Sequence, residues 1–199
     1  TLIPLISGAR SPETEWDHRV LTEPRLRETA MLREFPLYTP VIAAVNGVCI
    51  GLGAELLQAT DIRIAADHAR FAINEVTRGF MPGGGSAVRL AHQIPLAKVF
   101  EILLVGDPIS AQEAHRIGFV NDAVPFDELA GRVDELAAKI AANAPIAVRK
   151  TKETVLRTMT TTYEEAWRIE KENAEMTIRT DDAREGPLAF MEKRRPVFR

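Results

Sequence analysis

The 199-residue chain has one cysteine, Cys49, so no intrachain disulfide framework can form. The default that follows is a reducing compartment, cytoplasmic or an organelle matrix. Aromatics are only 6% of residues, yet hydrophobic residues reach 46% and charged residues 27%. That balance excludes a disordered tail, a collagen-like chain and a coiled-coil rod, and leaves enough apolar mass for a core. Long apolar runs are missing. The apolar runs at residues 41–45 and 48–50 are split by Asn46-Gly47 and fall far short of the ~20 residues of a membrane span. A surplus of either charge is missing too. The net charge is −3, which advertises neither nucleic acid nor an anionic membrane. There is no secretion-signal pattern at the start and no initiator Met, so a trimmed or incomplete N-terminus is expected. Internal repeats and low-complexity segments are absent.

What is present is an alternation of short strands and helices. Residues 2–6 read as a strand entering the Ser7-Gly8 turn. Residues 11–35 are rich in charge and broken by Pro12 and Pro24. They read as a surface loop, then a helix over about 25–35, either a solvated face or a cover over a site. Residues 41–45 are β-branched-rich and apolar on both faces, which predicts a buried parallel strand. A short helix over about 54–59 follows Gly51-Leu52-Gly53, with strands over 62–65 and 71–73. Ser86, after Pro82-Gly83-Gly84-Gly85, is a candidate N-cap for a helix over 87–94.

Beyond Pro95 the sequence predicts helices over 96–105, 111–117 (with Ser110 and Glu113 as a capping box), 126–143, 146–158, 163–180 and 183–193. One last strand falls at 119–124. Alternation to about residue 124 argues an α/β core with a mostly parallel sheet. The division is a core over 1–142 and a helical region over 143–199, which folds over the core or over a neighbouring subunit.

The candidate chemistry gathers in two glycine-rich turns. Residues 41–55 run from a strand through glycines 47, 51 and 53 into a helix start near Leu52. Backbone N–H groups there lack intrahelical partners and suit a developing oxyanion. The same spacing also fits a tight turn with no ligand. Neither turn makes a nucleotide loop: one lacks the third glycine of the dinucleotide fingerprint, the other the Lys-Ser/Thr ending.

Glu55 sits on an otherwise apolar helix, either buried for a reason or snorkelling to solvent. Glu75, in FAINEV, is an ordinary surface glutamate or the second of a pair. Two carboxylates flanking one water can divide acid and base duties. Cys49 reads as a small buried hydrophobe. His18, His68, His92 and His115 are scattered without metal-ligand spacing, so no metal site is expected.

At these residues the chain resembles the crotonase (enoyl-CoA hydratase/isomerase) superfamily. PVIAAVNGVCIGLGAELLQATDIRIAADHARF carries the signature, and PGGGSAVRL, GDPISAQEAHRIGFVNDAVP and REGPLAFMEKRRPVF continue it in order. The resemblance implies a crotonase-like spiral of β-β-α units, with residues 143–199 serving homotrimer formation, or a hexamer as a dimer of trimers. It implies an acyl-CoA substrate, no separate cofactor, and no nucleic-acid or membrane partner. Glu55 and Glu75 match the two glutamates that hold water in the family's hydratases: Glu55 to activate it towards the β-carbon, Glu75 to exchange the α-carbon proton. The N–H groups of Leu52 and Ala9 match the oxyanion donors, and that of Gly83 the group that steadies the water. Leu52 stands where many members have Gly. Arg10 follows Ala9 where Asp is usual, and strands that usually precede the signature have no counterpart before residue 40.

Phe190 and Lys193 match positions that contact CoA, typically that of a neighbouring subunit. Residues 192–199 hold one Glu against Lys193, Arg194, Arg195 and Arg199, apt for phosphate groups and equally for a solvated tail. The acyl pocket is implied to be shaped by residues 10–35 and 77–81, where Arg78 and Phe80 are bulky. The reaction implied is hydration of an enoyl-CoA. Isomerase or hydrolase chemistry on the same fold, or non-catalytic acyl-CoA binding, are the alternatives.

Overall fold

The computed structural model describes residues 4, 5, 7–33 and 35–199. Two charged helices, α1 (Glu15–Thr22) and α2 (Pro24–Ala30), precede the first strand. The core then runs β1 (Ile42–Val45), β2 (Val48–Ile50), α3 (Leu52–Leu57), β3 (Ile62–Ala66), β4 (Arg70–Ala72), a 3-10 turn (Glu75–Arg78) and α4 (Ser86–Arg89). It closes with α5 (Leu96–Val105), β5 (Ile109–Ser110), α6 (Ala111–Arg116), β6 (Asp122–Val124) and α7 (Phe126–Ala141).

From β1 to β4 the strands alternate between two sheets. One has the order β1-β3-β6 and is parallel throughout; the other is β2-β4-β5, with β5 antiparallel to β4. Each β-β-α unit therefore stacks on the one before, with Ile42 beside Ile62 and Val48 beside Arg70. This is the spiral α/β architecture that the sequence implies. Ile64, Ala65 and Ala66 of β3 are fully buried, and Phe71 meets the Phe119 ring edge-on at 5.5 Å. Arg63 is buried in the same strand. Its guanidinium donates through both Nη atoms to the carbonyls of Phe119, Gln58 and Thr60, which offsets part of the cost of burying it. Burial still pushes its pKa down to about 10.

Five expectations need correction. Of the strand read over 2–6, residues 2, 3 and 6 lie outside the described residues. Pro4 and Leu5 are helical, and Arg10 N–H returns to the Pro4 carbonyl at 2.9 Å, a turn and not a strand. The segment read as a loop before residue 25 contains α1, opened by a reciprocal box between Thr14 and Asp17.

β1, read as buried, is only half so: Ala44 is exposed, because the strand is the edge of its sheet. Cys49 of β2, read as buried, is half-buried, and burial pushes its thiol up to about 11. Ser86 does not cap α4; Gly85 holds that position, and the Ser86 hydroxyl faces the core instead.

The C-terminal helices are α8 (Pro145–Thr158), α9 (Tyr163–Ile178) and α10 (Asp182–Met191). Thr162 caps α9 through the Glu165 N–H. α8 and α9 pack on each other, tied by Asn173 Nδ2 donating to Thr154 Oγ1 at 2.9 Å. Lys152 of α8 reaches the core, donating to Asp61 Oδ2 at 2.7 Å and the Thr39 carbonyl at 3.0 Å. Trp167, Leu188, Phe190 and Met191 remain exposed. Among the described residues, no helix is long and apolar enough to cross a membrane.

Candidate active site

The site starts from one backbone conformation. β2 delivers the chain to Gly51, whose φ of +59° is open to glycine and strained for other residues. Its N–H donates to the Ala72 carbonyl at 3.0 Å, fixing the turn against β4. α3 begins at the next residue, so the first N–H groups of the helix, Leu52 among them, have no intrahelical acceptor. One turn on, Glu55 points inward and is 1% exposed. The snorkelling alternative is thereby excluded.

Among the described residues, Glu55 makes no ion pair. Its Oε1 accepts the N–H of Gly84 at 2.8 Å and the N–H of Ser86 at 3.2 Å. The glycine loop folds onto the carboxylate so closely that a Cβ at Gly84 would stand 2.4 Å from Glu55 Oε2. These donors are the functional groups the sequence reading missed. It singled out Gly83 in the loop, and no local pattern announces a hydrogen bond across 29 residues.

Glu75 opens the 3-10 turn after β4 and is also buried. Its Oε1 lies where a Cβ at Gly51 would come within 3.2 Å, so Gly51 serves the carboxylate as well as the turn. Its Oε2 has no hydrogen-bond partner. Burial raises the Glu75 pKa above its ordinary 4.5 and outweighs the pull of its own backbone N–H; the charge of Glu55 adds to the rise and Arg78 opposes it. The two carboxyls thus differ in kind: one is held by the N–H groups of a distant loop, the other keeps an oxygen without a partner among the described residues and is biased towards its neutral form.

Both face a cavity of about 470 Å³. Leu52, Gly83 and Gly84 share its lining; Phe80, Val20, Leu26 and Met31 supply apolar wall. The segment read as a solvated face or a cover thus turns one side of α1 and α2 to the site. Arg89 of α4 holds the end of that wall, donating to the carbonyls of Met31 at 2.7 Å and Leu32 at 3.1 Å. Arg33 donates to the Gly83 carbonyl at 3.3 Å.

Of the residues singled out in the sequence, Glu55, Glu75, Leu52 and Gly83 are brought together. Ala9 is not: it sits on an exposed turn outside the cavity lining. Arg78 also stays outside, bonded to the Asn74 carbonyl. Phe190 and Lys193 are exposed at the end of α10, again outside the cavity.

An apolar cavity with two unlike carboxyls and a free helical N–H can polarise a carbonyl and move protons on either side of it. Residues 19–199 match the model of the enoyl-CoA hydratase/isomerase family. An enoyl-CoA hydratase of Mycobacterium tuberculosis is 41% identical over 172 residues, covering 86% of this chain and 65% of that protein. A carnitinyl-CoA dehydratase of Proteus mirabilis is 40% identical over 169 residues, covering 83% and 65%. The crystal structure of an enoyl-CoA hydratase from Bacillus anthracis superposes with a TM-score of 0.85 at 38% identity, covering 94% of this chain and 71% of that one. The chain therefore spans about 65% of the length of the curated relatives it matches.

Proposed function

The chain belongs to the enoyl-CoA hydratase/isomerase family, and from that membership we propose that it adds water across the 2,3-double bond of an enoyl-CoA thioester. The observation that carries the proposal is the pair of buried, unlike carboxyls on one cavity, Glu55 tied to loop N–H groups and Glu75 with its Oε2 unmet among the described residues. The names of the two relatives, a hydratase and a dehydratase, support water exchange as the reaction.

In this reading the Leu52 N–H polarises the thioester carbonyl and stabilises the enolate-like charge that develops on its oxygen. The Gly83 N–H steadies a water between the carboxyls. Glu55 takes a proton from that water as its oxygen bonds to the β-carbon, and the double-bond electrons move towards the thioester. Glu75 delivers a proton to the α-carbon. The cycle closes when Glu55 passes its proton on through solvent and Glu75 regains one. The apolar wall receives the acyl chain. Ala9, outside the cavity, has no role in this scheme.

The proposal extends to assembly. Residues 143–199 form the interface of a trimer, or of a hexamer built from two trimers, and bring Phe190 and Lys193 to the CoA of a neighbouring subunit. Their exposure here supports that placement. The location proposed is the cytoplasm or an organelle matrix.

The test is incubation with crotonyl-CoA in ¹⁸O-labelled water and mass spectrometry of the acyl product. A labelled 3-hydroxyacyl-CoA is expected. A shifted double bond without label would replace hydration by isomerisation. Free CoA would indicate a hydrolase, and bound but unchanged substrate a non-catalytic acyl-CoA binder.

A further inference from the structure

Gln58 is an anomaly in the core. It sits on α3's C-terminal side among Leu57, Ala54 and Leu90, and only 2% of it is exposed. A buried primary amide is costly unless its donors and acceptors are met. Its Nε2 donates to the Ala54 carbonyl at 3.1 Å and to Ser86 Oγ at 2.8 Å, while its Oε1 has no partner. An apolar side chain would fill this space without leaving an acceptor unmet. The amide therefore wants an explanation other than packing.

Ser86 supplies one. It is fully buried, and the same residue that accepts from Gln58 through its hydroxyl donates through its N–H to Glu55 Oε1. Gln58 lies three residues after Glu55, on the same face of the helix. The contacts close a ring: α3 backbone, Glu55 carboxylate, Ser86 N–H, Ser86 hydroxyl, Gln58 amide, and back to α3. Gln58 is itself anchored, since Gln93 Nε2 donates to its carbonyl at 2.9 Å and Arg63 Nη2 at 3.4 Å. The glycine loop between Pro82 and Ser86 has little side-chain packing of its own to fix its distance from α3.

We propose that Gln58 and Ser86 are positioning residues for Glu55: their hydrogen bond sets the distance between α3 and the glycine loop, and through the Ser86 N–H it sets the orientation of the carboxylate. Neither touches substrate. The inference rests on the reading of Glu55 as the group that activates water.

The test compares Ser86→Ala, Ser86→Thr, Gln58→Met and Glu55→Gln in the full chain, with hydration of crotonyl-CoA as readout. Ser86→Ala and Gln58→Met are expected to lower kcat by about 10-fold to 100-fold, the range that small misplacement of a reacting group produces, with KM nearly unchanged. Combining them should cost no more than the worse single change, because both cut the same link. Ser86→Thr keeps the hydroxyl and restores kcat.

Normal kcat in Ser86→Ala and Gln58→Met, with Glu55→Gln inactive, overturns the positioning role and leaves the hydratase reading standing. A loss confined to KM or to Tm overturns it as well. Full hydration by Glu55→Gln overturns both. If Gln58→Met does not fold, Ser86→Ala, which only removes an oxygen, decides alone.

Discussion

Gly84 donates its N–H to Glu55 Oε1 at 2.8 Å, and its α-carbon is so near that any side chain would collide with the carboxylate it holds. Donor and steric limit are one residue. Gly84→Ala must therefore push the loop or Glu55 aside. Its kcat for hydration is expected to fall by about 100-fold, with the chain still folded by circular dichroism. Gly83→Ala meets open space at its Cβ and should lose far less.

Glu75 carries a stability cost that follows from its burial. In the unfolded chain it ionises near its ordinary 4.5, whereas the folded protein keeps the proton to higher pH. As pH rises through the raised folded value, the unfolded state binds fewer protons than the native one, and stability is lost. Glu75→Gln removes that loss and the ionisable group together. Its Tm should exceed the parent's at pH 8, with the gap closing below pH 4.5. Differential scanning calorimetry across pH reads it.

The same shift predicts the direction of the rate profile. Hydration needs Glu75 protonated to supply the α-carbon, so kcat for hydration should decline as pH passes the raised pKa. Dehydration of a 3-hydroxyacyl-CoA needs the ionised form and should rise over the same window. Following the enoyl-thioester absorbance in both directions tests this, and an identical pH trend in both would remove Glu75 from the α-carbon.

Lys152 anchors the C-terminal helices to the core. Its Nζ donates to Asp61 Oδ2, which also accepts the Val41 N–H at 2.7 Å. The Lys152 and Asp61 side chains are 12% and 26% exposed, so solvent screens them only in part. Lys152→Met should cost about 1 kcal/mol, seen as a lower urea midpoint, and leave kcat within twofold.

Legibility in the sequence tracked the range of the forces involved. α5 emerges with the bounds its pattern predicts, because Pro95 precedes it and Gly106, at φ +78°, ends it. Ser110 and Thr162 cap their helices as their spacing implies. α1 was hidden because Pro12, Pro24 and a dense run of charge outweighed the Thr14–Asp17 box. β1 looked buried because its composition is apolar, but burial depends on which neighbours a strand finds, and sheet order is not local.

At the site, the signature residues Leu52, Glu55, Glu75 and Gly83 could be picked out one by one. That they share a cavity is a tertiary fact. The Gly84 and Ser86 donors and the Gln58 link were invisible, since each joins residues about thirty positions apart. Ser86 illustrates the difficulty: its position before an apolar run suggested a cap, whereas its hydroxyl meets a side chain from another helix.

Both groups that hold Glu55 are amides of the main chain. A carboxylate tethered to lysine or arginine depends on the identity of that side chain, and a point mutation can remove the tether. Here the main chain supplies both N–H groups, the Ser86 hydroxyl fixes where one of them stands, and at 84 size alone is forbidding. The side chains at 83 and 87 make none of these bonds and lie exposed. Those two positions can drift in sequence between descendants, reshaping access to the acyl chain, while the base the loop cradles stays where it is. New substrate preferences can then arise without rebuilding the catalytic carboxylate's support.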